Sequence, residues 1–296
     1  MLKPDLPVFN DVDGQSVPSC FSRVIDTHVH IFPHVIFQAV RQWFDQYGWD
    51  IRYRERSRDL IQFLLDRGVD HVVALQYAHK PGMAGFLNDY MASVCREFPG
   101  RVSGLATLFP GEDQTRNILE IAFAKGLKGV KLHAHVQCFD MVDPALDDLY
   151  ATCLDHDMPL NMHVGTEPKS DQYKCDPYEI CRYDKVERVL NRFPGLKLCV
   201  PHLGVGEIPE YAELIEKYDT LYLDTAMAIT NYFPLPNRIP LSHYRLDRVM
   251  YGSDYPNIPY AWDRELKFLA NEGLSQEELD LISHGNAQRF FGIEPA

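Results

Sequence analysis

Eight short apolar runs alternate along this chain with loops and, after all but the seventh, with segments of helical spacing. That alternation limits the fold more than any other feature. The runs are residues 24–30, 71–76, 102–107, 129–133, 159–163, 198–202, 221–224 and 249–254. Amphipathic segments at 58–67, 84–98, 115–125, 144–156, 178–193, 207–218, 260–271 and 275–291 separate or follow them. Asp143-Pro144 opens one segment, and the Phe-Pro-Gly triplets at 98–100 and 193–195 each close one, as proline does at a helix start and glycine past its end. Strands joined by helices lie parallel, and eight such units most simply close into a single α/β domain, a (β/α)₈ TIM barrel. A doubly wound open sheet is the structural alternative. The chain has 296 residues. A plain barrel needs about 250, and the surplus falls mainly in two insertions, 31–57 after strand one and a lid-like loop at 165–177 after strand five. No repeat or Gly/Ser linker divides the sequence, so residues 1–296 read as one domain with its core at 23–293.

In such a barrel the chemistry sits at the C-terminal strand ends. Here those ends carry His28 and His30, His133, His163, His202 and Asp254. Strand alternation places Asp26, His28 and His30 on one face and Ile25, Thr27 and Val29 on the other. His163 shares its inward face with Asn161, and Asp254 shares one with Gly252. Three imidazoles and a carboxylate make a borderline-soft divalent site with a position left for water, the open arrangement of a catalytic metal. Zinc is the first candidate, with manganese, iron and cobalt as alternatives. Lys131 lies one layer below His133 on the same face of strand four. A barrel-core hydrogen bond is its simplest reading.

Composition excludes other classes. Lys plus Arg number 29 against 42 Asp plus Glu, a net charge of −13 with no basic run, which argues against nucleic acid and anionic membrane as partners. No apolar stretch approaches the ~20 residues a bilayer requires. The N-terminal segment lacks a signal-peptide pattern, so a cytoplasmic protein is expected. Seven cysteines without CxxC spacing indicate neither a disulfide framework nor a thiolate zinc site.

The motifs DTHVH, MHVG, PHLG, YGSDYP and SHGNAQRFFGI together resemble the amidohydrolase superfamily. The likeness is to its mononuclear branch related to aminocarboxymuconate-semialdehyde decarboxylase, and it extends over residues 23–293. The resemblance implies that His28, His30, His163 and Asp254 bind one metal. It also implies that His202 acts on the metal-bound water or the substrate, and Asp254, a carboxylate, can accept a proton as well as coordinate. In dinuclear members of that superfamily a carboxylated lysine at the end of strand four bridges a second metal, the alternative role for Lys131.

Hydrolysis of a small, carboxylated molecule by a metal-activated water is the first functional expectation. A nonoxidative decarboxylase or hydratase on the same ligands is the second, and a barrel that binds without catalysis is the third. His133 is expected to meet the substrate. Arg52 and Arg54, in an insertion rich in Trp43, Phe44, Tyr47 and Trp49, are candidates to hold a substrate carboxylate bidentately. Tyr77 and His79 would line the pocket. The 165–177 loop would act as a lid or as the contact of a homodimer.

Overall fold

All eight expected strands form, most of them shorter than their apolar runs. They are β1 (Ile25–His30), β2 (His71–Leu75), β3 (Val102–Gly104), β4 (Val130–His133), β5 (Leu160–His163), β6 (Leu198–Val200), β7 (Leu221–Asp224) and β8 (Val249–Met250). The computed structural model describes residues 6–166, 170–233 and 239–294. Every pairing is parallel and joins neighbours in sequence, in the groups β1-β2-β3 and β4-β5-β6-β7-β8. Two seams unite the groups into a ring. At one, Ala106 bridges to Val130, with Lys131 N–H donating to the Ala106 carbonyl at 2.8 Å. At the other, Val29 bridges to Tyr255, and the His30 N–H donates to the Tyr255 carbonyl at 2.7 Å. The fold is the expected barrel rather than an open sheet.

The outer layer contains α1 (His34–Tyr47), α2 (Ser57–Asp66), α3 (Ala84–Glu97), α4 (Thr115–Ala124), α5 (Ala134–Gln137) and α6 (Asp147–Asp155). It continues with α7 (Pro177–Ile180), α8 (Tyr183–Arg192), α9 (Ile208–Lys217), α10 (Arg264–Leu269), α11 (Gln276–Asp280) and α12 (Asn286–Phe291). Strand residues are buried on both faces, since one face meets these helices and the other the barrel interior. Inside, Ile25, Val73, Leu75, Leu105, Cys199 and Met250 pack with Phe290 and Phe291 of α12.

Three departures from the sequence reading bear on the site. The 31–57 insertion is not a plain loop: it contains the 14-residue α1, whose Arg41 donates to the carbonyls of Arg54 and Glu55 at 2.5 and 2.6 Å. Strand β6 stops at Val200 because Pro201 has no N–H to extend the ladder, and His202 begins a tight turn. A register break between Asp26 and Val29 disturbs the alternation of β1. Ile25 therefore joins the interior cluster, while Asp26 turns to Ser253 and accepts from its amide at 3.1 Å and its hydroxyl at 2.5 Å.

His71, at the start of β2, gives a pH test of the fold away from the strand ends. It is buried, and its ring nitrogens contact the Gly100 carbonyl at 3.1 Å and the Ser103 hydroxyl at 2.9 Å. Burial lowers its pKa from 6.5 to about 4, so the folded ring stays neutral where the unfolded one takes up a proton. Stability is therefore lost as pH falls from 6.5 toward 4. Urea unfolding at pH 6.5 and 5 should show the wild type losing ~2 kcal/mol more than His71→Gln. An equal loss would assign the acid sensitivity elsewhere.

Candidate metal centre

Strands β1 and β8 are neighbours only because the ring closes, and their ends bring three donor atoms together. His28 Nε2 lies 3.2 Å from His30 Nε2, and Asp254 Oδ1 lies 3.3 Å from the first and 3.0 Å from the second. Donors about 2.1 Å from a shared ion, at angles between octahedral and tetrahedral, stand ~3.0–3.4 Å apart, so this triangle fits a small divalent cation. Burial holds both rings neutral: it takes His28 down to about 4 and lowers His30 as well. Burial alone would raise Asp254, but the hydrogen bond donated by His30 works against it and keeps the carboxyl below its ordinary range. Neutral imidazoles and an ionised carboxylate are the protonation states that metal binding requires.

His163 and His202 form a second pair beside the triangle. His202 Nδ1 lies 2.8 Å from the Ala226 carbonyl, which can only accept, so this nitrogen carries the hydrogen. His202 Nε2 then accepts from His163 Nδ1 at 3.1 Å. That leaves His163 Nε2 as a buried lone pair with no hydrogen-bond partner among the described residues. The His202 ring is 5.0 Å from that of His28. His163 thus stands next to His202 rather than inside the donor triangle of His28, His30 and Asp254.

His133 stacks on His163 with ring centroids 3.9 Å apart, and its ring also meets Tyr77 edge-on at 4.9 Å. Phe32 and Tyr77, both buried, face His30 at 6.3 and 5.8 Å, and His79 packs on Tyr77 at 5.1 Å. Lys131 makes the barrel-core hydrogen bond: its Nζ donates to Asn161 Oδ1 at 2.7 Å, and burial lowers its pKa to about 8. From the loop after β5, Tyr173 reaches over His135 at 5.2 Å and stacks on Trp43 of α1 at 5.8 Å. Residues 167–169 of that loop lie outside the described residues.

Arg52 and Arg54 do not join this assembly. Arg52 donates to the Asp11 carbonyl at 2.9 Å and pairs with Asp11 and Asp13 of the N-terminal segment. Arg54 pairs with Asp45 and donates to the Ile51 carbonyl at 3.0 Å. Arg41 ties down the carbonyls of residues 54 and 55, and the two guanidinium groups fasten the insertion to its surroundings instead of pointing at the strand ends.

Sequence reading passed over Asp224, although it too is an acidic residue at a strand end. Its Oδ2 accepts from His28 Nδ1 at 2.8 Å, and its Oδ1 accepts the amides of His202 and Ala226 at 3.0 and 3.2 Å. Asp224, His28 and His202 also form a close donor group. The carboxylate, however, is already engaged by three N–H donors, so it orients side chains rather than ligating.

The family described as Amidohydrolase matches residues 25–293. The chain belongs to this amidohydrolase family. A 2-amino-3-carboxymuconate-6-semialdehyde decarboxylase of Dictyostelium discoideum is 25% identical over 289 residues, which cover 83% of this amidohydrolase and 77% of that protein. Among solved structures, an uncharacterised TIM-barrel protein of Bordetella bronchiseptica superposes with TM-score 0.70 at 19% identity, covering 91% of this chain and 98% of its own. The 5-carboxyvanillate decarboxylase of Novosphingobium aromaticivorans, solved with manganese and a nitrobenzoic acid, gives TM-score 0.65 at 17% identity over 95% of this chain and 100% of its own. The amidohydrolase is an enzyme on this family assignment, and no helix among its described residues is long and apolar enough to cross a membrane.

Gly252 allows the close approach of β1 and β7 on which the donor triangle depends. A Cβ there would stand 2.8 Å from His28 Cβ and 3.4 Å from Asp224 Cγ. Gly252→Ala should cost ~1–3 kcal/mol in thermal or urea unfolding by overpacking, and should weaken divalent-metal uptake measured by competition with a chelator. Unchanged stability and uptake would show that the strands have room to spare.

Proposed function

We propose that this amidohydrolase is a divalent-metal-dependent carboxy-lyase that removes carbon dioxide from a small unsaturated or aromatic carboxylic acid. His28, His30 and Asp254 would hold the ion, with His163, beside them on β5, as the candidate fourth ligand. Zinc remains the first candidate, and manganese is the ion in the Novosphingobium structure. A divalent ion bound there supplies Lewis-acid charge to a substrate oxygen.

The observation that carries the reading is the wall beside the triangle. Phe32 and Tyr77 are buried against His30, and Tyr77 and His133 meet edge to face. Such a wall accepts a flat conjugated ring by stacking and excludes water. A carboxylate carried into it loses hydration, which favours a transition state whose charge spreads into the conjugated system. The 25% identical relative, named as a decarboxylase, supports the same reading. Hydrolysis, the first expectation from the sequence, would use the same donors.

His202 is the group placed to carry a proton from water to the substrate. His202 is fixed at Nδ1 by the Ala226 carbonyl and presents Nε2 toward His163 and the ring of His28. The bond to the carboxyl carbon breaks, its electron pair stays on the substrate carbon, and a proton that His202 takes up from water at Nε2 and passes on replaces the departing carbon dioxide. His133 and Tyr77 would contact the substrate ring.

The test is a panel of unsaturated and aromatic carboxylic acids, lactones and amides with zinc- or manganese-loaded enzyme, following carbon dioxide release and ring or amide opening separately. Carbon dioxide release that falls at least ~100-fold in Asp254→Asn and His202→Ala, with the circular dichroism spectrum retained, supports the reading. Opening of a lactone or amide without gas release replaces it with the hydrolytic one.

A further inference from the structure

We propose that Asp224 is a positioning residue, a single carboxylate that sets the donor face of His28 and the placement of His202 together. The proposal rests on the metal-dependent reading above.

Ionised Asp224 has no hydrogen to give, so each of its three contacts is an accepted bond. Oδ2 takes the hydrogen of His28 Nδ1 at 2.8 Å. The ring's other nitrogen, Nε2, is then left as a lone pair, and it is the atom that meets His30 and Asp254 in the donor triangle. Oδ1 takes the backbone hydrogens of His202 at 3.0 Å and Ala226 at 3.2 Å. Ala226 in turn provides the carbonyl that fixes His202 Nδ1. One side chain on β7 therefore governs an imidazole on β1 and another just after β6.

The backbone it holds needs holding. His202 and Leu203 have φ of +58° and +52°, and Met227 has +57°, left-handed values that side chains with a Cβ adopt at a cost. Such conformations persist where the surroundings over-determine them. Asp224 is fully buried among these donors.

Asp224→Asn discriminates because an amide has one accepting oxygen, whereas the donors occupy both sides of the carboxylate. If the NH₂ group faces His28, the ring must move its hydrogen to Nε2 to accept, and the lone pair in the triangle is lost. If it faces the amides of His202 and Ala226, donor meets donor and the turn that carries His202 is displaced. Either orientation disables one of the two imidazoles.

The experiment measures Zn²⁺ affinity by chelator competition for the wild type and Asp224→Asn, beside thermal unfolding of both. It adds ¹⁵N NMR of the imidazoles in both proteins. Loss of the partner that orients a metal-binding histidine weakens affinity ~10–100-fold, and that loss, with one ion per chain in the wild type and Nδ1–H at His28, is the expected result. A variant that melts earlier but binds Zn²⁺ with wild-type affinity and, by the same ¹⁵N measurement, keeps the wild-type His202 signals overturns the proposal and leaves Asp224 a purely structural residue. If Asp224→Asn does not fold, the wild-type spectrum decides: a hydrogen on His28 Nδ1 upholds the assignment, and a hydrogen on Nε2 overturns it. If the wild type takes up no Zn²⁺ or Mn²⁺, the functional reading fails, and the same spectrum still decides the role of Asp224.

Discussion

The seam between the first and last strands is the constraint on which the rest depends. His28 and His30 come from β1 and Asp254 follows β8, so the donor triangle exists only where the ring closes. Closure and site share atoms at this point. The His30 amide donates across the seam to the Tyr255 carbonyl while its ring reaches Asp254, and the Thr27 amide and hydroxyl both donate to the Tyr251 carbonyl. The buried Asp26 adds the Ser253 amide and hydroxyl as further links. The other seam, at Ala106 and Val130, holds the ring with backbone bonds.

Burial and partners divide the carboxylates of this region into two kinds. Asp26, satisfied by a hydroxyl and by backbone amides, is pushed up to about 7 by burial. For Asp224 and Asp254 burial pushes the same way, but the imidazoles beside them outweigh it and hold both below the ordinary carboxylate value. The same side chain thus ionises less readily in the register break of β1 than where histidines converge. In both cases the identity of the neighbours, more than depth alone, fixes the sign.

Much of this was legible in the sequence because a barrel turns strand order into spatial order. Eight apolar runs gave eight strands, and histidines and aspartate at their ends met at one rim. Strand alternation located His28, His30 and Asp254 correctly as neighbours. It misjudged Ile25 and Asp26, since a register break has no signature in the spacing of apolar residues. The two arginines misled for a related reason. Arg52 and Arg54 sit among aromatic residues in the insertion, but their partners Asp11, Asp13 and Asp45 are chosen by how α1 folds back. Asp224 ends β7 with the same strand-end signature as a ligand, and only the three N–H groups at its oxygens mark it as a residue that holds others in place. The stretch 231–245 contains a turn at Leu241–His243, and residues 234–238 lie outside the described residues.

The contact between Trp43 and Tyr173 has a consequence for how this enzyme could change what it accepts. One ring belongs to the helix inserted after β1 and the other to the loop after β5, and they stack at 5.8 Å with Tyr173 resting on His135. Space above the site is therefore shared between two distant parts of the chain. A larger side chain at one position takes volume from the other, and a smaller one leaves its partner ring without support. The two rings support one another, and variation at residues 43 and 173 is expected to be correlated.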